Sequence, residues 1–203
     1  MAITTFAELQ TAVGNRMNRT DLNSLIPELI DSCESRLNRV LRHPRMVTVN
    51  ASYSISSRYT NLPTDFSSIE RIVRVDSSNV RRPLDFLAAP SEAVYSDGTS
   101  GYPMWYSIRG AQLEVIPPPA AAFTAELVYF AKIPALSVTN TTNWLLDDAP
   151  DVYLYGTLLE AAIYMEDDAR ETRYGNRAKA AIDELMSNAE YQRAGVAMAV
   201  HAA

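Results

Sequence analysis

The sequence predicts an α+β fold: a helical bundle that is discontinuous in sequence, with two N-terminal and two C-terminal helices and an inserted antiparallel β-sandwich or barrel-like module. Three observations predict it. Apolar residues recur at helical spacing near both ends, the period switches to two through the middle, and the alternating runs there are short and separated by turn residues. With 203 residues, 47% hydrophobic and 21% charged, the chain can bury a full-sized core and is too apolar for overall disorder. The expected organisation is residues 1–45 and 147–193 for the bundle, 46–146 for the β module and 194–203 for a C-terminal arm.

Thr5, with Glu8 three residues on, is a capping box that opens a first helix over residues 6–16, with Phe6, Leu9 and Val13 on one face. Asn18 to Asp21 form a polar break. A second helix spans residues 24–42, where Pro27 is acceptable because it falls in the first turn. Its apolar stripe is Ile26, Leu29, Ile30, Cys33, Leu37, Val40 and Leu41, and the opposite face carries Glu28, Asp31, Glu34, Arg36 and Arg39. His43-Pro44 ends it.

Val47, Val49, Ala51, Tyr53 and Ile55 then alternate with polar residues as a half-buried strand does. Further strands are expected at residues 69–75, 82–87, 104–108, 112–116 and 125–132, with Arg109-Gly110-Ala111 as a hairpin loop and a single helical turn at 91–95. Asp147, Asp148 and Asp151 crowd the start of a helix, where carboxylates cap free N–H groups. From Val152 to Glu166 that helix is apolar on most sides, as the middle of a bundle requires. A last helix covers residues 168–192, with Tyr174, Ala178, Ala181, Ile182, Leu185 and Ala189 on one stripe. The tail beyond it is small and apolar with no partner nearby in sequence, and such termini order only when something ties them down.

The net charge of −6 argues against tight, salt-driven wrapping of nucleic acid. No stretch near twenty residues is free of charge, so no membrane span is expected, and the opening MAITTFAELQ lacks the features of a secretory signal. The single cysteine fits a reducing cytoplasm. Only Lys132 and Lys179 are lysines; the other basic residues are arginines, whose planar fork suits bidentate carboxylate pairing and protein contacts.

Little in the sequence offers chemistry. His43 and His201 lack the helical companion a metal site wants, and Cys33 lies on an apolar stripe. Gly98 and Gly101 sit outside any phosphate-cradling pattern. Glu166-Asp167-Asp168 reads either as a Mg²⁺ site or as a solvated corner whose last acid caps the next helix. Arg36, Arg39, Arg42 and Arg45 read as a cationic patch for a partner or as a solvated end complementing the helix dipole. Tyr102, Trp105 and Tyr106 could form a stacking platform for bases or sugars, although in an alternating run such residues more often line a core. No convergent acid, base and nucleophile set is present, so no enzyme activity and no cofactor are expected.

The segments TTFAELQTAVGNRMNRTDLNSLIPELIDSCESRLNRVLR, YTNLPTDFSSIERI, RRPLDFL, GYPMWYSIRGAQLEVIPPP and AELVYFAKIPALSVTNTTNWLLDDAPDVYLYGTLLEAA resemble the head-to-tail adaptor proteins of tailed bacteriophages, related to the tail tubular protein A type of short-tailed phages. The resemblance spans nearly the whole chain. Its most specific pieces are Asn143-Trp144-Leu145-Leu146, Ala149-Pro150-Asp151 and Tyr153-Leu154-Tyr155-Gly156. It implies a virion structural protein assembled in the bacterial cytoplasm, forming a ring, typically a dodecamer, under the portal protein. That ring would extend the DNA channel, pass genomic DNA without specific binding, dock the tail nozzle protein and sometimes a tail spike or fibre, and touch no membrane. It also implies a portal-binding arm: Gly195, Val196, Met198, Val200 and His201. Arg36, Arg39, Arg42 and Arg45 become candidates for the subunit interface, and Asp31, Glu34, Glu166, Asp167 and Asp168 for the channel wall. The competing expectation is a carbohydrate- or nucleic-acid-binding β module carried on a helical bundle.

Overall fold

The switch of hydrophobic period from helical to alternating and back is matched by two separate sets of contacts: Met1–Arg45 with Ile133–Ala203, and Met46–Lys132. A computed structural model of the chain describes residues 3–76, 80–88 and 100–201, with side chains as far as residue 190. The helical turn expected at 91–95 lies outside the described residues. The fold is α+β, as the patterning requires.

In the helical unit, α1 (Phe6–Met17) opens on the capping box. The Glu8 N–H donates to the Thr5 hydroxyl at 3.3 Å, and the Glu8 carboxylate accepts from the Thr5 N–H at 3.1 Å. Phe6, Leu9, Val13 and Met17 are buried, and Asn18 closes the helix in the left-handed region at φ 53°. A 3₁₀ turn (Thr20–Leu25) precedes α2 (Ile26–Val40), which is shorter at both ends than the expected 24–42. Leu41 is already extended, at φ −74° and ψ 139°, so the helix stops before His43-Pro44. Cys33 and the rest of the stripe are buried apart from Val40, which is 59% exposed at the last turn. Asp147 and Asp148 do not open the next helix; they end a short one, α3 (Trp144–Asp148), capped by Asn143, and α4 (Pro150–Tyr164) follows with proline in its first turn.

Most of α4 is buried on every side. Gly156 lets it approach α2, since a Cβ there would stand 2.5 Å from the Cys33 Sγ. The last helix, α5 (Asp168–His201), packs Ala178, Ala181 and Ala189 inward and continues past the expected end at 192. No proline interrupts residues 193–201, and alanine and methionine favour continuation.

The β unit holds two four-stranded sheets. One runs β1 (Val47–Ile55), β8 (Phe123–Ala131), β3 (Phe66–Val75), β4 (Arg81–Pro83), antiparallel throughout; β1 and β8, the first and last strands of the unit, are neighbours, with Val47 opposite Phe130. The other runs β2 (Tyr59–Asn61), β7 (Gln112–Ile116), β6 (Trp105–Arg109), β5 (Asp85–Phe86), with β5 and β6 parallel. Ile55, Ile72, Leu113, Val115, Ala125 and Leu127, drawn from both sheets, share one core, so the unit is a sandwich.

Three local expectations change. The strand expected at 82–87 divides at Leu84, whose buried side chain marks the corner where the chain passes from one sheet to the other. Val49 and Ala51 are exposed, because an irregularity between Asn50 and Tyr53 breaks the alternation and only Tyr53 and Ile55 face inward. β2, three residues long, gives too few alternations to be read in advance. The β6–β7 hairpin turns on Gly110-Ala111, with Gly110 at φ 60°, which a residue with a Cβ adopts only at a cost.

Glu114 fastens β2 to the second sheet. It is 1% exposed and accepts from Arg58 Nε at 2.9 Å, Arg109 Nε at 3.1 Å and the Tyr59 hydroxyl at 3.1 Å. Burial works to raise its carboxyl, but the hydrogen bonds from Arg109, Arg58 and Tyr59 outweigh it and hold the group below 4.5. The carboxylate therefore stabilises the fold above pH 4.5, and that contribution is lost as pH falls through the lowered value. Glu114→Gln is expected to cost about 1–3 kcal/mol at neutral pH and to flatten the acid limb of a urea-stability profile against pH. Gly156→Ala is expected to destabilise the helical unit by about 1–3 kcal/mol, and adding Cys33→Ala should restore part of the loss in the same denaturation assay.

Candidate functional site

The most specific sequence pieces, 143–146 and 149–156, converge on a buried polar chain in the helical unit. Glu34 on α2 is 5% exposed, and its Oε1 accepts from the Leu136 N–H and the Tyr153 hydroxyl, each at 2.9 Å. The Tyr153 oxygen in turn accepts from Asn143 Nδ2 at 2.7 Å. Asn143 also donates to the Pro134 carbonyl and caps α3 by accepting from the Leu146 N–H. One turn further along α2, Asn38 Oδ1 accepts from the Ile133 N–H at 2.8 Å. These bonds join residues 133–143 to the helices, which is why the divide between units falls at 132/133 and not at the expected 146/147.

Glu34 is therefore corrected: it belongs to the interior and not to an exposed acidic face. The signal was in the spacing, since Glu34 stands four residues after Ile30 and three before Leu37, on the buried stripe. Burial raises its carboxyl, against the lowering effect of the Leu136 and Tyr153 hydrogen bonds, and burial also raises the Tyr153 hydroxyl. Cys33 beside it is likewise pushed up by burial, to about 12, so its thiol is not an activated nucleophile.

The arginine run does not act as one patch. Arg36 Nε pairs with Glu160 of α4 at 2.7 Å, and Arg42 donates to the Asn38 and Leu41 carbonyls at the end of α2. Arg45 pairs with Asp148 and lies over the Trp144 ring. Arg39 is exposed and has no ion-pair partner among the described residues. His43 is 6% exposed; it stacks on Trp144 with centroids 5.1 Å apart and accepts the Arg45 N–H at Nδ1, a structural role.

The acidic residues offered as channel-wall candidates lie on different elements. Asp31 is exposed on α2, whereas Glu166, Asp167 and Asp168 form the α4–α5 corner. Glu166 takes a left-handed φ of 55°, and Asp167, not Asp168, caps α5 by accepting the Arg170 N–H at 3.0 Å. Among the described residues no three His, Cys, Asp or Glu side chains gather so as to hold a metal ion. Gly195, Val196, Met198, Val200 and His201 lie in the last turns of α5; the expected separate arm is a helical continuation in backbone, and those side chains are outside the described ones.

In the β unit the three-ring platform is not assembled. Tyr106 is 9% exposed in the core, Trp105 is half-buried, and Tyr102 is 79% exposed. Among the described residues no helix is long and apolar enough to cross a membrane. What the geometry offers is contact and rigidity: a latched bundle, a long terminal helix and exposed charged faces.

The latch has a measurable signature. Because the Glu34 carboxyl is raised above 4.5, the folded state holds its proton more tightly than the unfolded chain, so stability falls as pH rises from 4.5 through the raised value. Glu34→Gln keeps an acceptor without the charge and should remove that slope in thermal melts taken between pH 4.5 and neutrality. Tyr153→Phe leaves Glu34 and Asn143 each one partner short and should cost about 1–3 kcal/mol.

A family model described as SU10 adaptor protein matches residues 4–201. No curated protein matches the chain. The family match runs through both the latched helical unit and the inserted sandwich, and on that match this chain belongs to the SU10 adaptor protein family and is a structural adaptor protein of a phage.

Proposed function

We propose that this chain is the head-to-tail adaptor of a tailed phage, in the manner of the tail tubular protein A type. Copies form a ring, a dodecamer, beneath the portal protein, extending the DNA channel and docking the tail nozzle protein, with a tail spike or fibre as a further partner. The observation that carries this reading is the mismatch between the last two helices. At about 1.5 Å per residue the 34 residues of α5 span roughly 50 Å, and the 15 of α4 roughly 22 Å. The far end of α5 outruns its partner and ends in a sequence of small apolar residues, which gain by burial on another chain.

In this reading Gly195, Val196, Met198, Val200 and His201 bind the portal. Arg39 serves the contact between subunits, because Arg36, Arg42 and Arg45 already have partners within the helical unit. Asp31, Glu166, Asp167 and Asp168 line the channel, where carboxylates repel passing DNA and prevent it from sticking; Glu34 is excluded by its burial. The neck of the virion is the location, after assembly in the host cytoplasm.

Native mass measurement of the protein alone and mixed with portal tests the arm. The full chain is expected as a monomer alone and as a ring with portal. A version ending at residue 193 should bind portal at least about tenfold more weakly, given about 1.5–3 kcal/mol for each large apolar side chain buried. Equal assembly by the shortened chain would remove the arm from the mechanism.

A further inference from the structure

Arg74 on β3 puts a charge on a face built for carbon. It stands opposite Ala125 in the ladder, a fully buried core residue, and two positions beyond Ile72, another core residue, so strand geometry turns it to the same side. Ala125 is small enough to leave room for a guanidinium there. Arg74 is 8% exposed, its Nε is buried with no hydrogen-bond partner, and it forms no ion pair with any described residue. The nearest acid along the strand, Asp76, closes a turn by accepting the Val80 N–H at 2.9 Å. Over the guanidinium, at 4.5 Å, lies the exposed ring of Tyr102.

Two clefts meet at this pair. The larger, of about 920 Å³, is walled by Pro103, Pro119, Ala120 and Ala121; the other, of about 700 Å³, adds Arg82, Asp85 and Met104. A mostly buried guanidinium with no hydrogen-bond or ion-pair partner among the described residues, stacked only on a ring, favours an anion, because its Nε is already out of water and the fork can donate to two oxygens at once. Nucleic acid is the wrong source. A phosphate backbone needs successive cations, whereas among the described residues lining the larger cleft Arg74 is the only basic side chain and Asp76 is also in the lining. A single carboxylate matches a single guanidinium, and small apolar walls suit the residues flanking it in a peptide.

We propose that this cleft receives one Asp or Glu side chain from a partner polypeptide, gripped by the Arg74 fork once the Tyr102 ring swings aside. The site lies wholly within the β unit and does not depend on the ring or on the C-terminal arm.

The test titrates the full-length ¹⁵N-labelled chain with four probes: acetyl-Ala-Glu-Ala-amide, its Gln counterpart, inorganic phosphate and oligothymidylate. The Glu peptide is expected to shift the amides of Gly101, Tyr102, Met104 and residues 120–124 and to bind at least about tenfold more tightly than the Gln peptide, as loss of a charged hydrogen-bonding partner implies. Arg74→Lys, which keeps the charge but loses the fork, should reduce the affinity for the Glu peptide by a similar factor. Should the lysine variant not fold, the Glu-against-Gln comparison on the unaltered chain decides alone. Equal shifts from both peptides, no shift from either, or tighter binding of phosphate or oligothymidylate would overturn the proposal.

Discussion

A carboxylate held away from water, Glu34, is the constraint on which the helical unit depends. Taken alone it is unfavourable, as its raised proton affinity records. It persists because the Leu136 N–H and the Tyr153 hydroxyl converge on one of its oxygens, and because Asn143 completes the chain while capping α3. The segment returning from the sandwich has no regular secondary structure over residues 133–143, so its backbone groups need partners elsewhere. Glu34, Asn38 and Asn143 supply several of them, and the Thr141 carbonyl gives one back by accepting the Phe6 N–H at the start of α1. A hydrophobic side chain at position 34 could fill the same space but could not specify where the returning segment stops.

Much of this was legible in the sequence, and what was missed has a common cause. The capping box at Thr5, the proline in the first turn of α2 and the apolar circumference of α4 express local rules, and the structure follows them. Charged residues at inward positions are the places where residue type and spacing disagree. Glu34 sits on the stripe that runs through Ile30 and Leu37, and Arg74 follows Ile72 at strand period, yet both are charged. The division at Leu84 and the irregularity after Asn50 depend on which sheet each residue joins, which no short window of sequence contains. The exposure of Val40 on an otherwise buried stripe is likewise tertiary.

The arginine-rich composition has an internal use as well as the external one the sequence suggested. Glu114 is held by Arg58 and Arg109, Glu126 by Arg71 and Arg81, Glu160 by Arg36 and Asp148 by Arg45. In the first two cases one carboxylate is shared by cations from different strands or loops, so each arginine fixes a separate piece of chain to the same point. The planar, weakly hydrated guanidinium suits this, and a lysine ammonium, strongly hydrated on a flexible stem, does so less well.

The pairing of β1 with β8 carries an implication for how such a chain diversifies. Val47 and Phe130 face each other across a single ladder spacing, about 5 Å between Cα atoms, so the polypeptide departs and comes back through the same narrow doorway. A cassette whose two ends meet at that separation can be lengthened, exchanged or rebuilt without rerouting the helices on either side of it. The helical part can therefore keep its own packing while the inserted part changes.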